Sequence, residues 1–326
     1  MRIAVAASIA TDNLMTFPGK FADQLIPEEL HKVSLSFLVD GLNVQRGGVA
    51  GNISFGMGSL GLRPILVGAV GADFVDYRAW LERHGVDTES VHVSTERHTA
   101  RFISTADAEL NQIASFYPGA MSEAREIELK PIADRVGGLD LVHIGADDPE
   151  AMARHTEECR QRGIPFAADF SQQIALVDGD AVRNLVDGAT YLFTNDYEKA
   201  LVEQKSGWSA EEILGRVSVQ VTTLGGDGVR IERKGEQPID VDVVPAKVKT
   251  EPTGVGDGFR AGFLAGLSWG LTLERSAQLG SLVATYVLEA SGPQEYELAR
   301  DGVLERFASV YGAAAADEIK PHFLAS

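Results

Sequence analysis

A single cysteine, Cys159, stands among 326 residues, so no intrachain disulfide can form and a reducing compartment fits. Cations are scarce as well: 29 lysines and arginines against 47 aspartates and glutamates give a formal net charge of −18. That balance works against non-specific binding to nucleic acid or to an anionic membrane. Long apolar runs are missing. Uncharged stretches such as Ala261–Leu273 and Ser276–Leu288 fall short of the roughly 18 residues that a bilayer span needs. The apolar run Ile3–Ala10 is short and is followed at once by Asp12, unlike a secretory leader, so a cytoplasmic location is expected. There is no P-loop sequence, no histidine–cysteine spacing suited to zinc, no internal repeat and no low-complexity linker.

What is present is an ordinary globular composition, 44% hydrophobic and 23% charged. Short apolar runs at Arg2–Ser8, Pro64–Val70, Leu141–Ile144, Phe166–Asp169, Tyr191–Thr194 and Val219–Thr223 read as buried strands. Helical patterns alternate with them: Val49–Leu60, Val75–His84, Pro149–Arg162, residues near 180–186, 196–203 and 209–216, then Thr253–Trp269 and Glu274–Ala290. This rhythm predicts an α/β fold with a mainly parallel sheet covered on both faces. Two irregular zones break it. In one, Phe17-Pro18-Gly19 and Pro27 interrupt regular structure, while His31–Val39 alternates in part as a strand would. In the other, Val91–Val93, Ala100–Thr105 and Gln112–Tyr117 read as short strands. Together they predict a smaller β layer over one sheet edge.

Two pattern matches fail on context. Gly56-Met57-Gly58-Ser59-Leu60-Gly61 has dinucleotide-fingerprint spacing but ends a helix and precedes a strand, so helix packing explains it better. Gly266-Leu267-Ser268-Trp269-Gly270 matches the hydrolase elbow by letters, yet no strand precedes it to present the serine.

The most informative segment is Thr250-Glu251-Pro252-Thr253-Gly254-Val255-Gly256-Asp257-Gly258-Phe259-Arg260. Thr253 is placed to cap a helix, and the glycines let a ligand approach the backbone. Unpaired N–H groups of a first helical turn attract anions. Asp257 in that turn has two readings: a residue that merely favours the helix N-terminus, or a base that takes a hydroxyl proton while the amides hold a phosphoryl group. Four other polar signals fall after strands or at a helix start. They are Asp12, Gly47-Gly48-Val49-Ala50-Gly51-Asn52, Asn195-Asp196-Tyr197-Glu198 and Thr222-Thr223-Leu224-Gly225-Gly226-Asp227-Gly228. Each has a local account, as a cap, a tight helix start or a hairpin turn. Their expected convergence on one sheet edge favours a ligand site.

In combination these residues resemble the ribokinase-like (PfkB-type) carbohydrate and nucleoside kinases, over nearly the whole chain. Gly47, Gly48 and Asn52 match a Gly-Gly-x-x-x-Asn segment, Asn195 and Glu198 an Asn-x-x-Glu element, and Glu251–Asp257 part of the signature Asp-Thr-x-Gly-Ala-Gly-Asp. The stretches 31–52, 113–124, 147–160 and 171–173 are most similar to bacterial, particularly actinobacterial, adenosine kinases. The resemblance implies one three-layer α/β/α kinase domain over residues 1–326, with lid segments near 12–47 and 91–118. It further implies ATP- and Mg²⁺-dependent phosphorylation of the adenosine 5′-hydroxyl. Asp257 would be the base, and the amides of Gly254, Val255, Gly256 and Asp257 the anion hole. Ser8, Asp12, Ser36, Gly48 and Asn52 would surround the ribose. Phe102 and Phe116 would sandwich the purine, beside Gln172 and Gln173. Asn195, Thr223, Gly225 and Gly228 would contact ATP, and Glu198 would organise hydrated Mg²⁺. The partners implied are small molecules only, with neither nucleic acid nor membrane, and a homodimer is compatible with a one-sided β layer. Other sugars or nucleosides as acceptor, or a silent binding homologue, are the alternatives.

The chain also departs from the family pattern. Glu251, Pro252 and Val255 replace commoner residues, Gly258 stands where alanine is usual, and Leu176 where the similar adenosine kinases carry arginine. After Asp73 the usual glycine three residues on is missing.

Overall fold

The computed structural model describes residues 1–25, 31–32 and 34–323. Apolar runs too short for helices, separated by amphipathic segments, form strand–helix–strand units whose crossovers set neighbouring strands parallel. In chain order the elements begin β1 (Ile3–Ala6), β2 (Ala10–Thr16), β3 (Gly41–Gly47), α1 (Val49–Ser59), β4 (Ile65–Val67), β5 (Ala69–Gly71) and α2 (Val75–Arg83). They continue with β6 (His92–Ser94), β7 (Ala100–Ala106), β8 (Gln112–Tyr117), α3 (Leu129–Val136), β9 (Leu141–Ile144), α4 (Pro149–Arg162), β10 (Phe166–Asp169) and α5 (Gly179–Val186). Then come β11 (Tyr191–Asn195), α6 (Asp196–Ser206), α7 (Ala210–Leu214), β12 (Val219–Thr223), β13 (Val229–Glu232) and β14 (Ile239–Val241). The chain closes with α8 (Val255–Ser268), α9 (Leu273–Glu289), α10 (Arg300–Tyr311) and α11 (Ala313–Ile319).

The main sheet has eight strands in the order β14-β13-β12-β11-β10-β9-β1-β4. From β4 to β12 the pairs are parallel, and the last two strands add an antiparallel edge. Period-two alternation divides the core. Along β1, Ile3 and Val5 enter one cluster with α1, α2 and α8–α11, while Ala4 and Ala6 enter another with α3–α7. Three layers result.

A second sheet of four strands, β3-β2-β7-β8, forms the lid. Its register runs without a break from Ala10↔Gly47 to Thr16↔Gly41 and from Ala10↔Ala100 to Thr16↔Ala106. This corrects two expectations. The lid strands near the N-terminus are Ala10–Thr16 and Gly41–Gly47, and the described residues of His31–Val39 form no strand; Pro27 and Val33 lie outside the described residues. Strand His92–Ser94 pairs with β5 rather than joining the lid, so the lid's second half starts at Ala100. Short elements with weak periodicity, α3, β14, α10 and α11, had no clear sequence signal.

Helices α8 and α9 lie unusually close because glycines face the contact. A β-carbon on Gly262 would fall 2.6 Å from the Leu279 carbonyl oxygen, and one on Gly258 2.6 Å from Val287 Cγ2. That supplies the reason for glycine at 258. Alanine there gains about 1 kcal/mol of helix propensity but overpacks a filled contact, at about 1–3 kcal/mol. Gly258→Ala is therefore expected to lower the melting temperature, which differential scanning calorimetry would measure; a rise would mean that Val287 yields freely. The glycines at 56 and 58 serve packing in the same way, against Ala261 and the His84 carbonyl.

Candidate active site

The carboxyl ends of the parallel strands converge on one cavity of about 870 Å³. Residues just past β1, β9 and β10 line it through Ser8, Ala146 and Ser171, and the ends of β11 and β12 through Asn195 and Thr223. Ser8 ties α1 to the sheet: its hydroxyl accepts from Val49 N–H at 3.3 Å and its carbonyl from Ala50 N–H at 2.9 Å. The crossing requires Gly48 (φ 85°), where a β-carbon would sit 2.5 Å from Ala10 N. This brings Asn52, one turn into α1, over the opening turn of α8.

That turn begins at Gly254 in the left-handed region (φ 79°), with no side-chain cap. Thr253, expected as the cap, bonds Glu251 instead, with its hydroxyl 2.8 Å from Oε1. Val255 N–H turns back to the Pro252 carbonyl at 3.3 Å, whereas no backbone acceptor takes Gly254, Gly256 or Asp257 N–H among the described residues. Three amides are therefore free at the cavity floor, with the dipole of a long helix behind them.

Asp257 is half-buried at this floor, and its Oδ2 accepts from Asn52 Nδ2 at 2.8 Å. Burial pushes its carboxyl up to about 7, held back by the Asn52 bond and the nearby Arg260 charge. Arg260, one turn further along α8, is buried. Its guanidinium forks onto Asp169 at the end of β10, with Nη2 2.7 Å from Oδ1, while Nη1 reaches the Gly256 carbonyl at 3.1 Å. Burial alone would raise Asp169, but the Arg260 charge and hydrogen bonds, together with the neighbouring His143, outweigh it and hold the carboxyl at about 2. His143 Nε2 lies 3.2 Å from Asp169 Oδ2 without hydrogen-bond alignment. Arg260 is the only lysine or arginine among the described residues that line this cavity.

The lid roofs the cavity. Asp12 belongs to lid strand β2 rather than to a loop after β1, and burial with the Glu251 charge pushes its carboxyl up to about 6. Asp12, Phe102 and Phe116 are paired across three neighbouring strands, so they share the inner face. Beside them Ser171, Gln172 and Gln173 form a wall. Ser171 is held at φ 45°, and Gln173 donates to the Asp147 carbonyl at 2.7 Å, which leaves its own buried Oε1 without a partner among the described residues. Ser36 does not reach the cavity: it is exposed in the irregular stretch before β3, with no ladder to direct it inward. Leu176 lines the cavity as an exposed apolar side chain, so no anion contact comes from that position.

A second cavity, about 490 Å³, adjoins the first at Thr223, Gly225 and Gly256 and is walled by Val243–Ala246 and by Ser281, Ala284, Thr285 and Leu288. Val255 and Gly228 face this side only. Asn195 and Glu198 cap α6 reciprocally, each carbonyl or carboxylate oxygen accepting the other's backbone N–H at 2.7 and 2.8 Å. Burial raises the Glu198 carboxyl, while Arg260 draws it down.

Several lining residues carried no signal in the sequence. Arg260 had one, as the only charged side chain between Asp257 and Glu274. The wall 243–246 and the α9 residues had none.

The pfkB family of carbohydrate kinases matches residues 16–299, and the chain belongs to that family. It is a phosphotransferase of the nucleoside and sugar kinases with the ribokinase fold. The nucleoside kinase of Burkholderia thailandensis, in complex with ADP-inosine, superposes with a TM-score of 0.79 at 35% identity, over 95% of this chain and 96% of that one. The nucleoside kinase of Methanothermobacter thermautotrophicus is 28% identical over 87% of this chain and 92% of its own length. Similarity to the adenosine kinase of Saccharomyces cerevisiae is 26% over 49% of this chain and 52% of that enzyme. Among the described residues no helix is long and apolar enough to cross a membrane.

Proposed function

We propose that the protein transfers the γ-phosphoryl group of ATP to the 5′-hydroxyl of a purine nucleoside, with adenosine the first candidate and AMP its product. One observation carries this: two cavities meet at the first turn of α8, where three free amides accompany a half-buried carboxylate. A nucleoside in the larger cavity places its base under Phe102 and Phe116 and its hydroxyl at Asp257. The ATP chain enters from the smaller one, along Thr223, Gly225 and Asn195. As the new O–P bond forms and the β–γ bridge breaks, the hydroxyl proton passes to Asp257, and the amides of Gly254, Gly256 and Asp257 hold the charge on the moving group. In a loose transition state that proton leaves late, so a carboxylate suffices.

The residues fit a hydrated Mg²⁺ held mainly by phosphate oxygens, since Asp196 and Glu198 line the cavity and no cluster of three or more ligating side chains is found among the described residues. When bound, the ion neutralises phosphate charge, which a chain of net charge −18 otherwise repels.

A panel of adenosine, inosine, pyrimidine nucleosides, ribose and fructose with ATP and Mg²⁺, read by coupled ADP release, tests the acceptor. Purine nucleosides should give the highest kcat/KM; a preference for a free sugar would overturn the assignment. Phe102→Ala should raise KM for the nucleoside by about 5- to 150-fold, the equivalent of about 1–3 kcal/mol of stacking, with little change for ATP. Equal effects on both substrates would remove the base from beneath that ring.

A homodimer is part of the proposal. The outer lid face exposes Leu42, Val44, Ile103 and Ile113 on one side of the sheet, apolar area that a second copy would cover. Light scattering on wild type and Val44→Asp would decide it.

A further inference from the structure

Asp257 ends a hydrogen-bonded chain that leads away from the cavity. Its Oδ2 accepts from Asn52 Nδ2, Asn52 Oδ1 accepts from Gln294 Nε2 at 2.9 Å, and Gln294 Oε1 accepts from Trp80 Nε1 at 3.1 Å. Gln294 Nε2 also donates to the Tyr77 hydroxyl, which in turn donates to the Gly47 carbonyl at 2.9 Å.

A carboxamide has nearly the same shape after half a turn, so packing alone does not decide which end of Asn52 meets Asp257. The far end of the chain decides it. An indole N–H only donates, so Gln294 must turn its carbonyl to Trp80 and its NH₂ to Asn52. Tyr77 commits its one proton to Gly47 and therefore presents a lone pair to that same NH₂. With both ends of Gln294 fixed, Asn52 points its carbonyl at Gln294 and its NH₂ at Asp257. We propose that Gln294, oriented by Trp80 and Tyr77, is a positioning residue that locks the Asn52 donor onto Asp257 and so keeps that residue a proton acceptor. This rests on Asp257 being the base.

The surroundings are built for such a lock. Asn52, Tyr77 and Gln294 are buried, so little water competes for their bonds. Space for the Tyr77 hydroxyl exists only because residue 51 is glycine: a β-carbon there would lie 2.0 Å from it. Trp80 is itself fixed, stacked on Phe55 at 5.8 Å with the Arg46 guanidinium 4.3 Å above its ring.

The charged groups facing Asp257 are Arg260 on its own helix, Asp169 at the end of β10 and Asp12 on the lid. Tyr77 and Tyr296 also face it, kept neutral because burial raises both hydroxyls. None of these depends on Gln294 for its charge. Losing the lock lets the Asn52 carbonyl face the carboxylate and removes a bond that favours the charged form. The Asp257 carboxyl then rises, and turnover, which needs it ionised, fails at a higher pH.

The test is the pH dependence of kcat for ATP and the best nucleoside, in wild type, Gln294→Leu, Trp80→Phe and Asp257→Asn. Gln294→Leu should move the acid limb up by about one pH unit, a loss of about tenfold near pH ~6 that closes near pH ~9. Trp80→Phe, which keeps a ring in place, should shift the limb in the same direction by less, and it decides the matter if Gln294→Leu does not fold. A uniform loss across pH, or an unmoved limb, in a folded variant would overturn the lock. If Asp257→Asn loses at least about a hundredfold in kcat at the same time, the base assignment survives that result. Substantial turnover in Asp257→Asn overturns the base assignment itself.

Discussion

Asp257→Asn should lower kcat by about two to four orders of magnitude while ATP still binds. The substitution is nearly isosteric, and an asparagine oxygen can still accept from Asn52 Nδ2, so the turn and its free amides should persist. What disappears is a site for the hydroxyl proton. Positioning and the amides remain, so activity falls without vanishing. In the wild type the same group should set the acid limb. Its carboxyl, raised to about 7 mainly by burial, must be ionised to accept a proton. kcat/KM should therefore rise with pH through about 7 and level off above it. Steady-state kinetics across pH, with isothermal titration of a non-hydrolysable ATP analogue, would check both halves. Near-normal turnover in the variant would take Asp257 out of the chemistry.

Much of this site is legible in the sequence, because its parts are backbone devices with residue signatures. Gly48 and Gly254 are needed where φ is positive, and the close approach of backbone at Gly48 leaves no room for a side chain. Asn195 and Glu198 announce a capping box by spacing alone. The main sheet was equally legible, since strands buried on both faces appear as short continuous apolar runs. The lid was harder. Its strands carry Thr11, Asp12, Asn13 and Gln45 among apolar residues, because one face looks into a polar site and the other outward. Alternation that would mark a strand is thereby blurred, and the weaker pattern at 31–39 drew the prediction instead. Long-range pairs left no trace at all. Nothing local links Arg260 to Asp169, or Trp80 to Gln294, although the first pair lies beside Asp257 and the second reaches it through Asn52.

The first of those pairs makes the other large prediction. Arg260→Met should destabilise the fold by about 3–5 kcal/mol at neutral pH, because it leaves the buried Asp169 carboxylate without its cation. The pH dependence gives the sign. In the wild type Asp169 is held at about 2, below its unfolded value, so its contribution is present at neutral pH and is lost as pH falls through the acid range. In the variant burial acts unopposed by Arg260, the carboxyl rises above its unfolded value, and protonation relieves it. The stability gap between the two proteins should thus narrow from neutral pH toward about pH 4, as urea unfolding at each pH would measure. Adding Asp169→Leu should restore much of the stability, since an apolar pair of similar volume carries no stranded charge. Turnover should not return with it. Arg260 Nη1 holds the Gly256 carbonyl at 3.1 Å and is the only lysine or arginine among the described residues that line the larger cavity, in a chain that otherwise repels phosphate. A double variant that regained both stability and activity would show that the ion pair serves the fold alone, and the free amides of α8 would then have to hold the phosphoryl charge unaided.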